Sequence, residues 1–336
     1  MLSLNSKQQD FVSVLWTRQA NSRSTAARVL HLSKPTASTL AKDLLSAGII
    51  DEIGTGHSSG GKPPRLLRIH SDAFHTIGID IGYSGKIYGI RMDATGKLAA
   101  QESMLCDSNF DAIVYAITTL AQKLRTPETV GIGIAISGIV NPITGNIFKS
   151  ANFDLSQRPL LAKVQEQLHL PVLLDNRSRT SAFAEHFRGA VQQENNFILL
   201  SLGKSIGSAF FLHGQPYLGQ CRSGEISELR LSNGQTLEAC MRPENIIQHG
   251  LTQTATLCAN GLAPLFSILD PRILVLSGRF SKLGADFEKN FSHLIQQNFH
   301  CQIIPAAFGQ LSAAFGAAAE TTEKFVLEKL YVSIKE

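Results

Sequence analysis

Residues 170–185, LPVLLDNRSRTSAFAE, most constrain what this chain can fold into. Pro171-Val172-Leu173-Leu174 is the short apolar run of a buried strand, and Asp175 and Asn176 end it. From Ser178 the small and apolar residues Ser181, Ala182 and Ala184, with Glu185, continue as a helix former. A buried strand that turns at once into a helix belongs to an open α/β sheet, which places ligand groups at the carboxyl ends of its strands. Here that position holds Asn176 beside two cations, Arg177 and Arg179. The same residues also suit an ordinary solvated loop.

Upstream the pattern is different. Residues 1–75 hold nine Lys or Arg against five acids, so the net charge of +4 sits entirely in the first quarter. Ser3 to Arg18 reads as a helix with Leu4, Phe11, Val14, Leu15 and Trp16 facing a core, and a second short helix runs from about Ser24 to Leu30, opened by Ser22 or Arg23. Ser33 caps a third, Pro35 to Ala47, with Pro35 where its missing N–H costs nothing. Ala37, Leu40, Ala41, Leu44 and Leu45 point inward. Lys34, Thr36, Ser38, Thr39 and Lys42 are left outside, and Gly48 ends the helix.

The strand Ile49 to Ile53, the glycine-rich loop 54–64 and the return strand Arg65 to Ile69 form a wing with Lys62 and Arg65 at its tip. Helix, tight turn, helix and basic wing together predict a double-stranded DNA partner, contacted through Arg23, Lys34, Thr36, Ser38, Thr39, Lys42, Lys62 and Arg65. A three-helix protein-interaction module with a solvated basic face is the alternative.

From Thr76 glycine-interrupted strands and helices alternate twice, once up to the opening stretch and again from Phe197, which predicts two similar α/β lobes with a cleft between them. Ala263 to Ser277 adds a helix, LAPLFSILDP, and the strand RILVLSGRF; Gly309 to Glu320 reads as a closely packed helix, with Lys324 to Val332 its amphipathic continuation. The chain is 43% hydrophobic, without an apolar run of the roughly 18 residues that a bilayer span needs. Nor does it open with the order of a secretory signal, so a cytoplasmic protein without a membrane partner is expected. Five scattered cysteines, Cys106, Cys221, Cys240, Cys258 and Cys301, suggest neither a disulfide framework nor a CxxC metal site.

Ile79-Asp80-Ile81-Gly82 with Ser84, the Ile132 to Gly138 loop, the Gly203 to Gly207 loop, Gly224-Glu225 and the wing Ser59-Gly60-Gly61-Lys62-Pro63-Pro64 occur in an order that resembles the ROK family. That family comprises bacterial sugar kinases of actin-like, two-lobed fold and repressors of the NagC, Mlc and XylR type. The resemblance implies a winged helix-turn-helix over residues 1–72, then a sugar-kinase-type, ribonuclease H-like α/β body. Its lobes are expected at 73–190 and 191–336, with the C-terminal helical segment packing back on the first. It further implies sugar contacts at Gly138, Asn141, Asn176, Arg177, Glu225, Glu228 and Glu238.

The departures from the family bear on chemistry. Family kinases carry an Asp general base where this chain has Arg177, and an arginine has no acceptor to take the hydroxyl proton. Arg179 likewise replaces an Asn. In the nucleotide loops, Tyr83-Ser84, Gly85 and Gly203-Lys204-Ser205-Ile206-Gly207 depart from the glycine-rich pattern, so a nucleotide is disfavoured. The zinc ligands are missing too: Glu228 stands at the His position, residues 231–237 hold no Cys, and Cys221 and Cys240 lie outside the ligand positions.

The expected protein is therefore a sugar-responsive DNA-binding regulator of repressor type, a homodimer or tetramer, with no kinase activity, cofactor or metal. Arg177 suits a sugar phosphate as effector; an ion pair with Asp175 or a neighbouring carboxylate is the competing role. A residual kinase, or a ligand-free DNA-binding scaffold run by a protein partner, are the rival functions.

Overall fold

The computed structural model describes residues 4–57, 63–82, 85–150, 152–192, 194–202, 205–279 and 283–328. Three helices open the chain: α1 (Ser6–Trp16), α2 (Arg23–Val29) and α3 (Lys34–Ser46). Each starts where a short polar side chain satisfies an orphan amide. Asn5 accepts from the Gln8 N–H at 3.0 Å, Ser22 from Thr25 at 3.3 Å and Ser33 from Thr36 at 3.2 Å. The strands β1 (Ile50–Thr55) and β2 (Arg65–Ile69) pair antiparallel and complete a winged helix. Phe11, Val14, Leu15, Trp16, Ala37, Leu40, Ala41 and Leu44 are buried in it as the apolar spacing requires, while Leu4 and Leu45 are half-buried at its edge.

The body repeats one sheet topology. In the first lobe β3 (His75–Ile81), β4 (Lys86–Asp93) and β5 (Leu98–Leu105) form an antiparallel meander. After α4 (Phe110–Leu124) comes β6 (Thr129–Ile136), then the hairpin β7 (Gly138–Val140) and β8 (Ile147–Ser150), α5 (Leu160–Leu168) and β9 (Val172–Asn176). β6 and β9 run parallel to β3, giving the order β5-β4-β3-β6-β9. The helix α6 (Arg177–Phe187) follows without a loop.

The second lobe places β10 (Phe197–Leu202), β11 (Ile206–Leu212), β12 (Gln215–Pro216), α7 (Leu237–Cys240), α8 (Pro243–His249), α9 (Leu251–Leu269), β13 (Ile273–Gly278), α10 (Ala285–Phe299) and β14 (Gln302–Pro305) in the chain. Its sheet order is β12-β11-β10-β13-β14, with β11 antiparallel and β13 parallel to β10. The last helix, α11 (Ser312–Phe325), returns to the first lobe and lies on β3, β6 and α6. That approach explains the AAFGAAAE composition. A Cβ on Gly316 would come within 1.7 Å of the Thr180 carbonyl oxygen, and one on Gly78 within 1.8 Å of that of Ala314, so only glycine lets these backbones meet.

Two sequence expectations change. α9 starts well before the expected LAPLFSILDP segment and carries Pro264 in its interior. α11 starts at Ser312 and stops at Phe325 rather than continuing; the backbone reaches a left-handed turn at Glu328 (φ 52°), and residues 329–336 lie outside the described set. The core of the winged helix and that of the body form one cluster through Trp16, Phe187 and Phe315. No helix among the described residues is long and apolar enough to cross a membrane.

Candidate functional site

A cleft of about 160 Å³ opens between the lobes at the carboxyl ends of the central strands. The first lobe contributes Ser137, Gly138, Ile139, Lys149, Asn176, Arg177 and Ser178. The second contributes Ser201, Ser205, Ile206, Gly207, Ser208, Gly224, Glu225, Ser227, Glu228 and Glu238. Six of the seven residues expected at a sugar site thus share one cavity.

Each is placed by local structure. Gly138 begins β7 with φ 152°, and a Cβ there would strike the Lys149 carbonyl at 2.0 Å across the hairpin. Asn176 ends β9 and caps α6: its Oδ1 accepts from the Ser178 and Arg179 N–H groups at 2.8 and 3.2 Å, and its Nδ2 donates to the Gly138 carbonyl at 2.7 Å. One amide therefore fixes the helix start and the hairpin root together. Glu225 and Glu228 flank a short helical turn, and Glu238 rides on α7, which Thr236 caps. Loss of water around Glu225 pushes its carboxyl pKa up; Lys149, Arg179 and Arg222 oppose this, and Glu238 adds to it.

The two arginines of the opening stretch part company. The Arg177 Nε donates to both carboxylate oxygens of Asp80, at 2.9 and 3.1 Å; Asp80 is 1% exposed and Arg177 25%. Arg177 is therefore ion-paired, the role that competed with phosphate contact, and its partner is a neighbouring carboxylate, Asp80, rather than Asp175. Arg179 turns into the core, where its Nε donates to Asp175 at 2.7 Å and its guanidinium to the Val140 carbonyl at 2.8 Å. Beside this buried pair stands Glu320, fully buried, both of its carboxylate oxygens without a hydrogen-bond partner among the described residues. Burial, reinforced by Asp175, pushes its pKa well above the ordinary carboxylate range against the pull of Arg179 and Lys324.

Asn141 requires a correction. Its Oδ1 accepts from the Ile143 and Thr144 N–H groups at 2.9 and 3.2 Å, so it closes the β7–β8 turn. It faces a neighbouring groove with Phe148 and Tyr217 instead of the cleft. Sequence reasoning missed Lys149 and the hydroxyls of Ser137, Ser178, Ser201, Ser208 and Ser227. The serines at the carboxyl ends of β6 and β10, Ser137 and Ser201, were the available signal. Among the described residues no group of three His, Cys, Asp or Glu could hold a metal ion; Glu228 is exposed, and Cys240 is buried with a hydrogen bond to Cys258.

On the winged helix, Lys34, Ser38, Thr39 and Lys42 are exposed along α3. The Thr36 hydroxyl shares a 2.7 Å hydrogen bond with Ser33 in the cap. Arg23 of α2 and Arg65 of β2 converge on Glu52 at 2.6 and 2.7 Å, so both expected DNA contacts are already ion-paired. Lys62 and Lys204 lie outside the described residues.

The fold and its cleft define a two-lobed protein of sugar-kinase type carrying a winged-helix head. The ROK family profile matches residues 76–244, and the chain belongs to that family. It is similar to the xylose repressor of Caldicellulosiruptor bescii, 27% identical over 228 residues that make up 65% of this chain and 57% of the repressor. The match thus spans little more than half of that relative. In fold it is similar to a ROK-family transcriptional regulator described as a homologue of the E. coli MLC protein, with a TM-score of 0.79, 16% identity and 98% of each chain covered. A ROK glucokinase from Streptomyces griseus in complex with glucose and AMPPNP aligns with a TM-score of 0.64 and 20% identity, covering 73% of this chain and 98% of the kinase.

Proposed function

We propose that the protein is a transcriptional regulator of repressor type that binds double-stranded DNA through α3 and the wing, releases it in response to a sugar held in the cleft, and transfers no phosphoryl group. The observation that carries this reading is the Arg177–Asp80 pair. The residue at the family's general-base position is a cation, and its charge is spent on the buried acid of the strand before the first glycine loop. A group that holds no acceptor cannot take a hydroxyl proton at any accessible pH.

The same pair speaks for a neutral sugar over a sugar phosphate. With Asp80 balancing Arg177, the remaining charges lining the cleft among the described residues are Lys149 against Glu225, Glu228 and Glu238, a poor setting for a dianion and a good one for hydroxyl groups. As a homo-oligomer the protein would present paired heads to a two-fold operator.

The test is a thermal-shift panel of neutral pentoses, hexoses and N-acetylhexosamines, their phosphates, and ATP with magnesium. A neutral sugar should raise the melting temperature, and its phosphate should do so less. Sugar-dependent ATP turnover above that of an Arg177→Met control would defeat the non-enzymatic reading.

A further inference from the structure

One helix, α6, runs from the cleft to the underside of the winged-helix head. Its cap Asn176 and first residue Arg177 stand in the cleft. Ser178 meets the second lobe there: a Cβ on Gly207 of β11 would lie 2.3 Å from the Ser178 hydroxyl. One face is held by the Thr180–Gly316 approach to α11. Further along, the fully buried Glu185 accepts from the backbone N–H groups of Ala307 at 3.0 Å and Phe308 at 3.3 Å, beyond β14 of the second lobe.

The far end carries the head. Phe187 stacks on Trp16 of α1 with ring centroids 4.0 Å apart. The next residue, Arg188, lies over the Phe187 ring at 3.9 Å and donates to the Trp16 carbonyl at 2.6 Å. The guanidinium is held beneath the head, where burial, with Arg18 nearby, brings its pKa down to about 10. An eleven-residue helix is a stiff rod of about 16 Å. Close-packed surroundings do not absorb a displacement of its first turn by continuous compression.

We propose that α6 is the lever by which occupancy of the cleft is reported to the DNA-reading head, with Trp16, Phe187 and Arg188 as the joint. The proposal rests on the cleft being the effector site. A ligand seated between the lobes changes the spacing of Ser178 and Gly207, and the helix carries that change to Trp16. Phe187 and Arg188 are positioning residues; they line neither the cleft nor the exposed face of α3.

The joint contains its own reporter, because Trp16 is the sole tryptophan of the chain. The full chain can therefore be tested without any sugar. Gly207→Val pushes on Ser178 from the second lobe; Ser178→Gly removes the group pushed. Acrylamide quenching of Trp16 should rise about twofold in Gly207→Val and return to the wild-type value in the Ser178→Gly, Gly207→Val double variant. Wild-type quenching in Gly207→Val would overturn the lever, as would an increase that the double variant keeps, since that would be a general loosening of β11. If Gly207→Val does not fold, Gly207→Ala, whose Cβ meets the same oxygen, is read in its place with the same two outcomes. Failure of the effector reading would show elsewhere, as a melting temperature that no sugar moves, and leaves this test standing.

Discussion

The two sheets of the body share a strand order and differ in almost everything laid on it. On the first, α11 is pressed backbone to backbone through Gly78, Gly133 and Gly316, and the strand ends carry the ion pairs Asp80–Arg177 and Asp175–Arg179. On the second, α9 and α10 pack with large side chains such as Leu262, Phe266, Phe287 and Phe291, and β10 and β13 carry Ser201 and Ser277 near their ends. One topology thus makes a close-packed frame whose strand-end acids are paired with arginines and, opposite it, a wall of hydroxyls and glutamates. In the proposed function, recognition falls to the second wall together with the Asn176 and Lys149 side chains of the first. The cation at the end of this sheet nearest the cleft, Arg177, is engaged by Asp80.

The contrast can be broken most severely at the frame's glycines. Gly316→Val should cost more than about 4 kcal/mol and leave the protein insoluble or unfolded, because the clash is with backbone that cannot move aside; a soluble variant with wild-type circular dichroism would contradict the close approach. Next comes the Arg177–Asp80 pair. Arg177→Met strands the buried Asp80 carboxylate and should cost roughly 3 kcal/mol in urea unfolding, while adding Asp80→Asn should recover most of that loss. Equal costs for the single and double variants would show that the pair is not the reason.

Glu320 sharpens the contrast through pH. Its folded pKa lies well above the ordinary value of 4.5, so between those two values the folded state holds a proton that the unfolded chain has released. Stability contributed by Glu320 is therefore full below the unfolded pKa and is lost as pH rises toward the folded one. Glu320→Gln should remove that slope and raise the melting temperature at pH 7.5 by about 2–4 °C. A slope unchanged in the variant would place the titration elsewhere. The mildest change is on the second wall: Ser201→Ala should leave the melting temperature within about 1 °C and weaken binding of the stabilising sugar roughly three- to tenfold.

Local features of this fold were legible in the sequence. The strand-to-helix junction at Asn176, the caps Ser22 and Ser33 and the inward face of α3 follow from apolar spacing and short polar side chains, and the structure has them within a residue or two. Partners remote along the chain were not legible. Arg177 and Asp80 are separated by 97 positions, and Arg188 and Trp16 by 172. Trp16 reads as a core residue without any sign that its core belongs also to the body. Asn141 was misplaced because the β7–β8 turn rotates it out of the cleft that Gly138, three residues earlier, still lines. α10 carries Phe287, Phe291 and Ile295 at helical spacing and Asp286 and Glu288 in its first turn, but it has no side-chain cap to mark where it starts.

The most direct measurement is the DNA-binding isotherm of the full chain, by fluorescence anisotropy on a duplex selected from random sequence by the protein itself. It is recorded with and without the neutral sugar that most raises the melting temperature. Coupling of 1 kcal/mol or more between cleft and head predicts that saturating sugar weakens binding at least about fivefold. Superimposable isotherms, with the sugar demonstrably bound, would contradict the account.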